Sequence, residues 1–171
     1  MAAVSGADHS EIVAALLPGQ WRLMATSRRL WLDKLKLAPT VDFSVVRPAP
    51  LTLDCSFEWA VPGKRRRHTR VRLRMDSEGF LASRGVLFNH SRVRRVVAGA
   101  SDDSAIVVLM VTEFVSYRLG HGAGETSVEI LLRAGELSEG LRASVARSAV
   151  DFGLSAEYFA GLAWADERGQ F

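Results

Sequence analysis

The sequence is short of several things, and each shortage excludes a class of protein. Cys55 is the single cysteine, so no intramolecular disulfide can form and no cysteine-based metal cluster can be built. That lone thiol reads as a small buried hydrophobe rather than a nucleophile. The four histidines, His9, His68, His90 and His121, lack metal-ligand spacing, and no metal site is expected. No glycine-rich loop follows a strand and opens a helix, so neither a nucleotide nor another cofactor is expected. No apolar run approaches the roughly 20 residues that span a bilayer. The segment before Gly19 lacks a basic start and carries Asp8 and Glu11, which does not read as a signal peptide. A cytoplasmic protein without a membrane span is the expectation. Lysine is scarce too, confined to Lys34, Lys36 and Lys64 among 22 basic residues, and the net charge is only +3. An arginine bias of this kind is a weak argument for nucleic acid.

What is present is the composition of an ordinary globular domain, 48% apolar and 24% charged. A chain of 171 residues is the size of one domain with a full core, so residues 1–171 are read as a single unit. Pro18-Gly19 marks a turn, after which Gln20 to Ser27 reads as a first strand with Trp21, Leu23 and Ala25 facing one way. Arg28 to Lys36 mixes Leu30, Trp31, Leu32 and Leu35 with charges, more like a lid than a strand. From Thr40 the period is two. Leu51, Leu53, Cys55, Phe57 and Trp59 alternate with Thr52, Asp54, Ser56 and Glu58. Thr69, Val71, Leu73 and Met75 repeat the scheme opposite His68, Arg70, Arg72 and Arg74, and Val61-Pro62-Gly63-Lys64 joins the two as a hairpin. Strands are expected again over Gly79 to Gly85, Arg92 to Ala98, Ala105 to Glu113 and Thr126 to Arg133. With no helix between them, local turns favour an up-and-down antiparallel barrel over a parallel α/β sheet. One helix is expected, capped by Ser138, with Leu141, Val145, Ala149 and Phe152 on one stripe and Gly153 as its stop. Phe159 to Trp164 is a candidate edge strand.

Gly19-Gln20-Trp21 on the first strand, a meander of about eight strands, and Arg133 before a late helix together resemble the lipocalin family. The order of Leu132-Arg133, Leu137-Ser138-Glu139 and Phe152-Gly153-Leu154 is similar to bacterial and plant lipocalins. Asp102 and Asp103 only hint at the family's second motif. The resemblance implies an all-β, eight-stranded up-and-down barrel with a C-terminal α-helix. It also implies that Trp21 sits at the closed end with Arg133 packed across its ring, a cation–π contact worth about 0.5–2 kcal/mol.

A barrel of about eight strands has room for side chains or one small ligand. The candidate wall residues are Leu23, Phe43, Val45, Leu53, Cys55, Phe57, Trp59, Val71, Leu73 and Met75. Folding alone accounts for most of them, since burying each large one contributes roughly 1.5–3 kcal/mol. The leading expectation, from the resemblance and the aromatic wall, is binding of a hydrophobic small molecule. The alternative is a cofactor-independent cyclase acting on a polyketide-type substrate, as some lipocalin-like barrels of secondary metabolism do, because holding a flexible substrate in a reactive fold supplies much of the rate. For that role Glu113 and Tyr117, near a barrel mouth, are the candidate catalytic pair, weighed against plain surface positions. His90 and Tyr158 are further polar candidates, and Glu58 and His68 fall on the outer face. An exposed last strand, or Leu30 and Trp31, are candidates for a homodimer contact. Lys64-Arg65-Arg66-Arg67, continued by Arg70, Arg72 and Arg74, reads as a solvated hairpin and strand face rather than a nucleic-acid surface, because interleaved aromatics are absent. Weak retention on heparin is therefore expected, and strong retention that fell steeply with salt would overturn that reading.

Overall fold

The computed structural model describes residues 6–32, 36–84, 92–114, 116–117, 120–121, 124–135, 139–166 and 169–171. Alternating apolar and polar residues make strands here because side chains of an extended chain point to opposite faces. In chain order the elements are α1 (Gly6–Leu16), β1 (Gly19–Thr26), β2 (Leu37–Arg47), β3 (Thr52–Ala60), β4 (Arg67–Met75), β5 (Leu81–Arg84), β6 (Arg92–Ala100) and β7 (Ile106–Phe114). There follow β8 (Ser116–Tyr117), β9 (Gly120–His121), β10 (Glu125–Arg133), α2 (Leu141–Arg147), α3 (Ala156–Ala160) and β11 (Ala163–Trp164). The main sheet runs β10-β7-β6-β5-β4-β3-β2-β1-β11, and β10 also pairs with β1. That last pairing closes an eight-stranded antiparallel barrel, with β11 as an appended edge strand.

The apolar residues divide into an interior and an outer layer. Leu53, Cys55, Leu73, Leu81, Val107, Leu109 and Leu131 belong to the interior cluster, which α1 joins through Val13, Leu16 and Leu17. On the outside, Val108, Val128, Ile130 and Leu132 pack against Leu141, Val145, Phe152 and Leu154. β7 and β10 are thus covered on both faces, which explains why Ile106 to Val111 is an unbroken apolar run. Gly99 permits this layer to dock, because a Cβ there would come 2.5 Å from the Cα of Phe152.

Several expectations need correction. Trp21 and Leu23 face the interior, but a register shift between Leu23 and Ala25 sends Ala25 to the outer cluster. The bulge adds a residue on β1 and reverses the face that follows. Three helices occur among the described residues rather than one, α1 and α3 being the unexpected ones. The helix expected to reach Gly153 ends at Arg147, and residues 148–153 turn so that Phe152 lies against Gly99. Ser138 lies outside the described residues. Thr69, assigned to the inner face, is exposed near the end of its strand.

One end of the barrel is sealed by a lock of three groups. The Trp21 ring lies beneath Arg133, whose guanidinium carbon is 4.2 Å from the ring centroid. The Trp21 indole donates to the Leu17 carbonyl at 2.7 Å. Arg133 donates to the carbonyls of Leu16 (3.1 Å), Pro18 (3.3 Å) and Ser104 (3.2 Å), joining α1, its exit turn and the β6–β7 turn. Gly19 has φ +114°, and a Cβ on it would sit 3.2 Å from Arg133 Nη1, so glycine both suits the backbone and leaves room for the arginine. Arg133→Ala should cost about 2–4 kcal/mol of unfolding stability in a denaturant titration, since it strands three carbonyls and uncovers an indole. Arg133→Lys should recover less than half of that, because an ammonium lacks the planar fork.

Candidate ligand-binding site

The other end of the barrel is where β1 leaves the wall and the chain turns before β2. Thr26 is followed by Ser27, whose backbone N–H donates to Val128 and whose hydroxyl accepts from the Val128 N–H. The Arg28 N–H donates to Thr26 Oγ1 at 2.9 Å. A turn then closes from the Trp31 N–H to the Arg28 carbonyl at 3.0 Å. This local geometry points the Trp31 indole back into the barrel mouth, where it is 3% exposed. Its ring packs 5.5 Å from Phe57 and 6.0 Å, edge-on, from Trp59. Its Nε1 donates to Glu129 Oε1 at 2.8 Å.

Glu129 is 2% exposed on the inward face of β10, and the same oxygen accepts from Arg28 Nη1 at 3.1 Å. Arg28 also donates to Glu113 on β7, from Nε at 2.8 Å and from Nη2. One guanidinium therefore clamps two carboxylates, a buried one and a half-exposed one at the rim. Burial works against its charge, but Glu129 and Glu113 more than offset this and raise the Arg28 pKa above the usual arginine value. A cavity of about 10 Å³ remains beside the indole, lined by Leu23, Trp31, Val41, Phe57, Glu129 and Leu131 among others. That is about one water molecule's worth of space.

Most of the expected wall residues come together. Leu23, Phe43, Leu53, Cys55, Phe57, Leu73 and Met75 are buried in the interior cluster, and Trp59 and Val71 pack half-buried against it. Val45 is the exception. It is 43% exposed, because β2 runs on past the sealed end and its register with β3 shifts between Val45 and Arg47. Glu113 stands at the mouth as an ion-pair partner of Arg28, and Tyr117 is in β8, its side chain outside the described set. His90 also lies outside it. Glu58 and His68 are exposed opposite each other, and Tyr158 packs against the outer cluster. The dimer contact expected of Trp31 is corrected by its burial, whereas Leu30 is exposed. The sequence reading missed Arg28, Glu129 and the buried Arg95. The alternation Ser127, Glu129, Leu131 was a usable signal for Glu129, had Val128, Ile130 and Leu132 been recognised as outward. Among the described residues no group of three His, Cys, Asp or Glu is placed to hold a metal, and no helix is long and apolar enough to cross a membrane.

Two basic residues of β4 are ion-paired on the outer face. Arg70 and Arg72 both donate to Asp54, with Arg72 Nε at 2.9 Å. Hydrogen bonding from Arg72 and Arg70 holds the Asp54 carboxyl below its usual range. Arg66 lies 3.6 Å from Glu58.

A closed antiparallel barrel sealed at one end is an architecture that solved structures share. The chain is similar to lobster apocrustacyanin A1, with 11% identity and a TM-score of 0.58 over 92% of this chain and 84% of that one. It is similar to apocrustacyanin C1 over the same shares, at 11% identity and TM-score 0.59. A dog lipocalin allergen matches over 86% of this chain and 92% of its own, at 11% identity and TM-score 0.52. The fold is of the lipocalin type. No protein-family model matches the chain, and no curated protein does.

Cys55 gives the interior a chemical probe. Burial, foremost among its surroundings, pushes the thiol up to about 12 from an ordinary 9.0. Its thiolate fraction at pH 8 should therefore be about a thousandfold below that of a free thiol. Ellman's reagent should leave the folded protein unreacted for hours and titrate one thiol on unfolding; rapid reaction of the native protein would contradict this burial.

Proposed function

We propose that the barrel takes up a hydrophobic small molecule through the mouth that Trp31 closes, and that Trp31 gives up its place beside Phe57 and Trp59 when it does. The observation that carries this reading is the origin of the indole. It comes from a turn and not from a barrel strand, yet it is buried among the wall aromatics. A side chain on a connecting turn can swing out without breaking a strand ladder, and mobile covers of binding sites are drawn from such low-stability segments. The place it vacates is largely apolar, walled by Leu23, Val41, Phe57 and Leu131, with Thr40 and Glu129 as the polar residues of its lining. That is the usual make-up of a small-molecule site.

Size makes the displacement necessary for a ligand seated beside the indole. Ligand pockets commonly hold about 300–1,000 Å³, against the 10 Å³ beside the indole. The free energy of moving Trp31 subtracts from the affinity for any ligand, as for every site whose competent state is a minority. The lone thiol of Cys55 suits a reducing compartment, and the reading is of a cytoplasmic binding protein.

Trp31→Ala separates this role from that of a plain core residue. The variant should bind the neutral dye N-phenyl-1-naphthylamine about tenfold more tightly than wild type in a fluorescence titration, since the plug no longer competes. It should also lose about 3–5 kcal/mol of unfolding stability, and bound apolar molecules should be recovered chemically unchanged. Loss of stability without dye binding in either protein would refute the proposal.

A further inference from the structure

The barrel interior holds a second cation, and among the described residues no acid accepts a hydrogen bond from its buried Nε and Nη1. Arg95 is on the inward face of β6, opposite Leu81 of β5 and Val111 of β7, and is 3% exposed. Its guanidinium carbon lies 5.6 Å from the Phe57 ring centroid, the same ring against which Trp31 packs. Its Nε and Nη1 are buried and donate to no acceptor. Burial pushes this guanidinium below the usual arginine range, with Glu129 the largest influence the other way.

Arg28 has already engaged the acids. Glu129 Oε1 accepts from Arg28 and Trp31, and Glu113 Oε1 accepts twice from Arg28. Arg28 is also held by the end of β1, through its own N–H on Thr26 and through the exchange of hydrogen bonds between Ser27 and Val128. Trp31 stands three residues further on, beyond the turn. The indole can therefore leave while Arg28 keeps its hydrogen bond to Glu129, and Arg95 Nε and Nη1 remain without an acceptor.

A buried guanidinium with unmade hydrogen bonds is expensive, and an apolar side chain of similar volume commonly does better in a core. Its place in a largely apolar wall is accounted for if the acceptor arrives with the ligand. We infer that Arg95 is the seat for the anionic head of the bound molecule, which makes the ligand an amphiphile with an apolar body and one carboxylate or comparable oxyanion. This rests on the small-molecule reading above. The head supplies oxygens to Nε and Nη1, and the body lies along Phe57 in the space the indole vacates. Charge-assisted hydrogen bonds to arginine are strong away from water, whereas a neutral hydroxyl offers one acceptor oxygen and no charge to balance the cation.

The test uses the dye as a neutral reporter and two competitors of equal chain length, dodecanoate and dodecan-1-ol, at a pH where the acid is ionised. On wild type, dodecanoate should displace the dye at least about tenfold more effectively than the alcohol. In Arg95→Met the ratio should fall to about one while dye affinity stays within about threefold, and the unfolding temperature should rise because an unserved cation is gone. Arg95→Gln, which keeps donors but no charge, should also lose the preference and stands in if the methionine variant does not fold. Equal displacement by acid and alcohol on wild type, or an acid preference that survives in either variant, overturns the assignment of Arg95 and leaves the small-molecule reading intact. Failure of the dye to bind both wild type and Trp31→Ala overturns that reading and this inference together.

Discussion

The pairing of β1 with β10 is the constraint on which the rest of the molecule depends. It converts an open sheet into a barrel and so removes two long unpaired edges. The same short ladder also organises both ends. At the sealed end it sets Trp21 opposite Arg133, and at the mouth it sets Thr26 opposite Glu129. The lock beneath α1 and the clamp around Arg28 are thus two ends of one register. A one-residue slip would reverse every face along it, separating Trp21 from Arg133 and turning Glu129 outward.

The bulge between Leu23 and Ala25 lets one strand serve two purposes. Before it, β1 fills the interior with Trp21 and Leu23; after it, Ala25 and Met24 meet the outer cluster with Trp164 and Leu162. The C-terminal segment covers the outward faces of β7 and β10, which would otherwise expose Val108, Val128, Ile130 and Leu132. That cover makes the β7–β10 side of the wall a rigid two-layered support. The mouth residues Glu113 and Glu129 are carried on these two strands, which holds the carboxylates in place for Arg28.

Polarity inside the barrel is concentrated near the mouth. Arg28, Glu113 and Glu129 answer one another, and a turn residue fills the space beside them. Arg95 is close by, with its Nε and Nη1 lacking an acceptor. Two buried arginines thus contrast, one with its pKa raised by two carboxylates and one with its pKa lowered by burial. The sealed end holds its arginine differently, over an indole and on backbone carbonyls.

Period-two alternation was sufficient to read β3, β4 and their hairpin, and the interior membership of Leu53, Cys55, Phe57 and Leu73 with them. It failed for Val45, because alternation continues past the point where the barrel ends. It also failed for Arg95: Arg94 and Arg95 are adjacent and flanked by valines on both sides, so either one satisfies a strand pattern. Arg94 turned out to face Asp76, Glu78 and the Phe80 ring. Glu129 was hidden in a run apolar on both faces, and Trp31 in a turn that has no period at all. By itself the sequence determined which residues alternate and where the chain must turn, because those depend on neighbours a few positions away. Only the tertiary structure decided which face became the inside, which arginine was buried there and where the Trp31 ring packs, because inside and outside exist only once β1 has found β10.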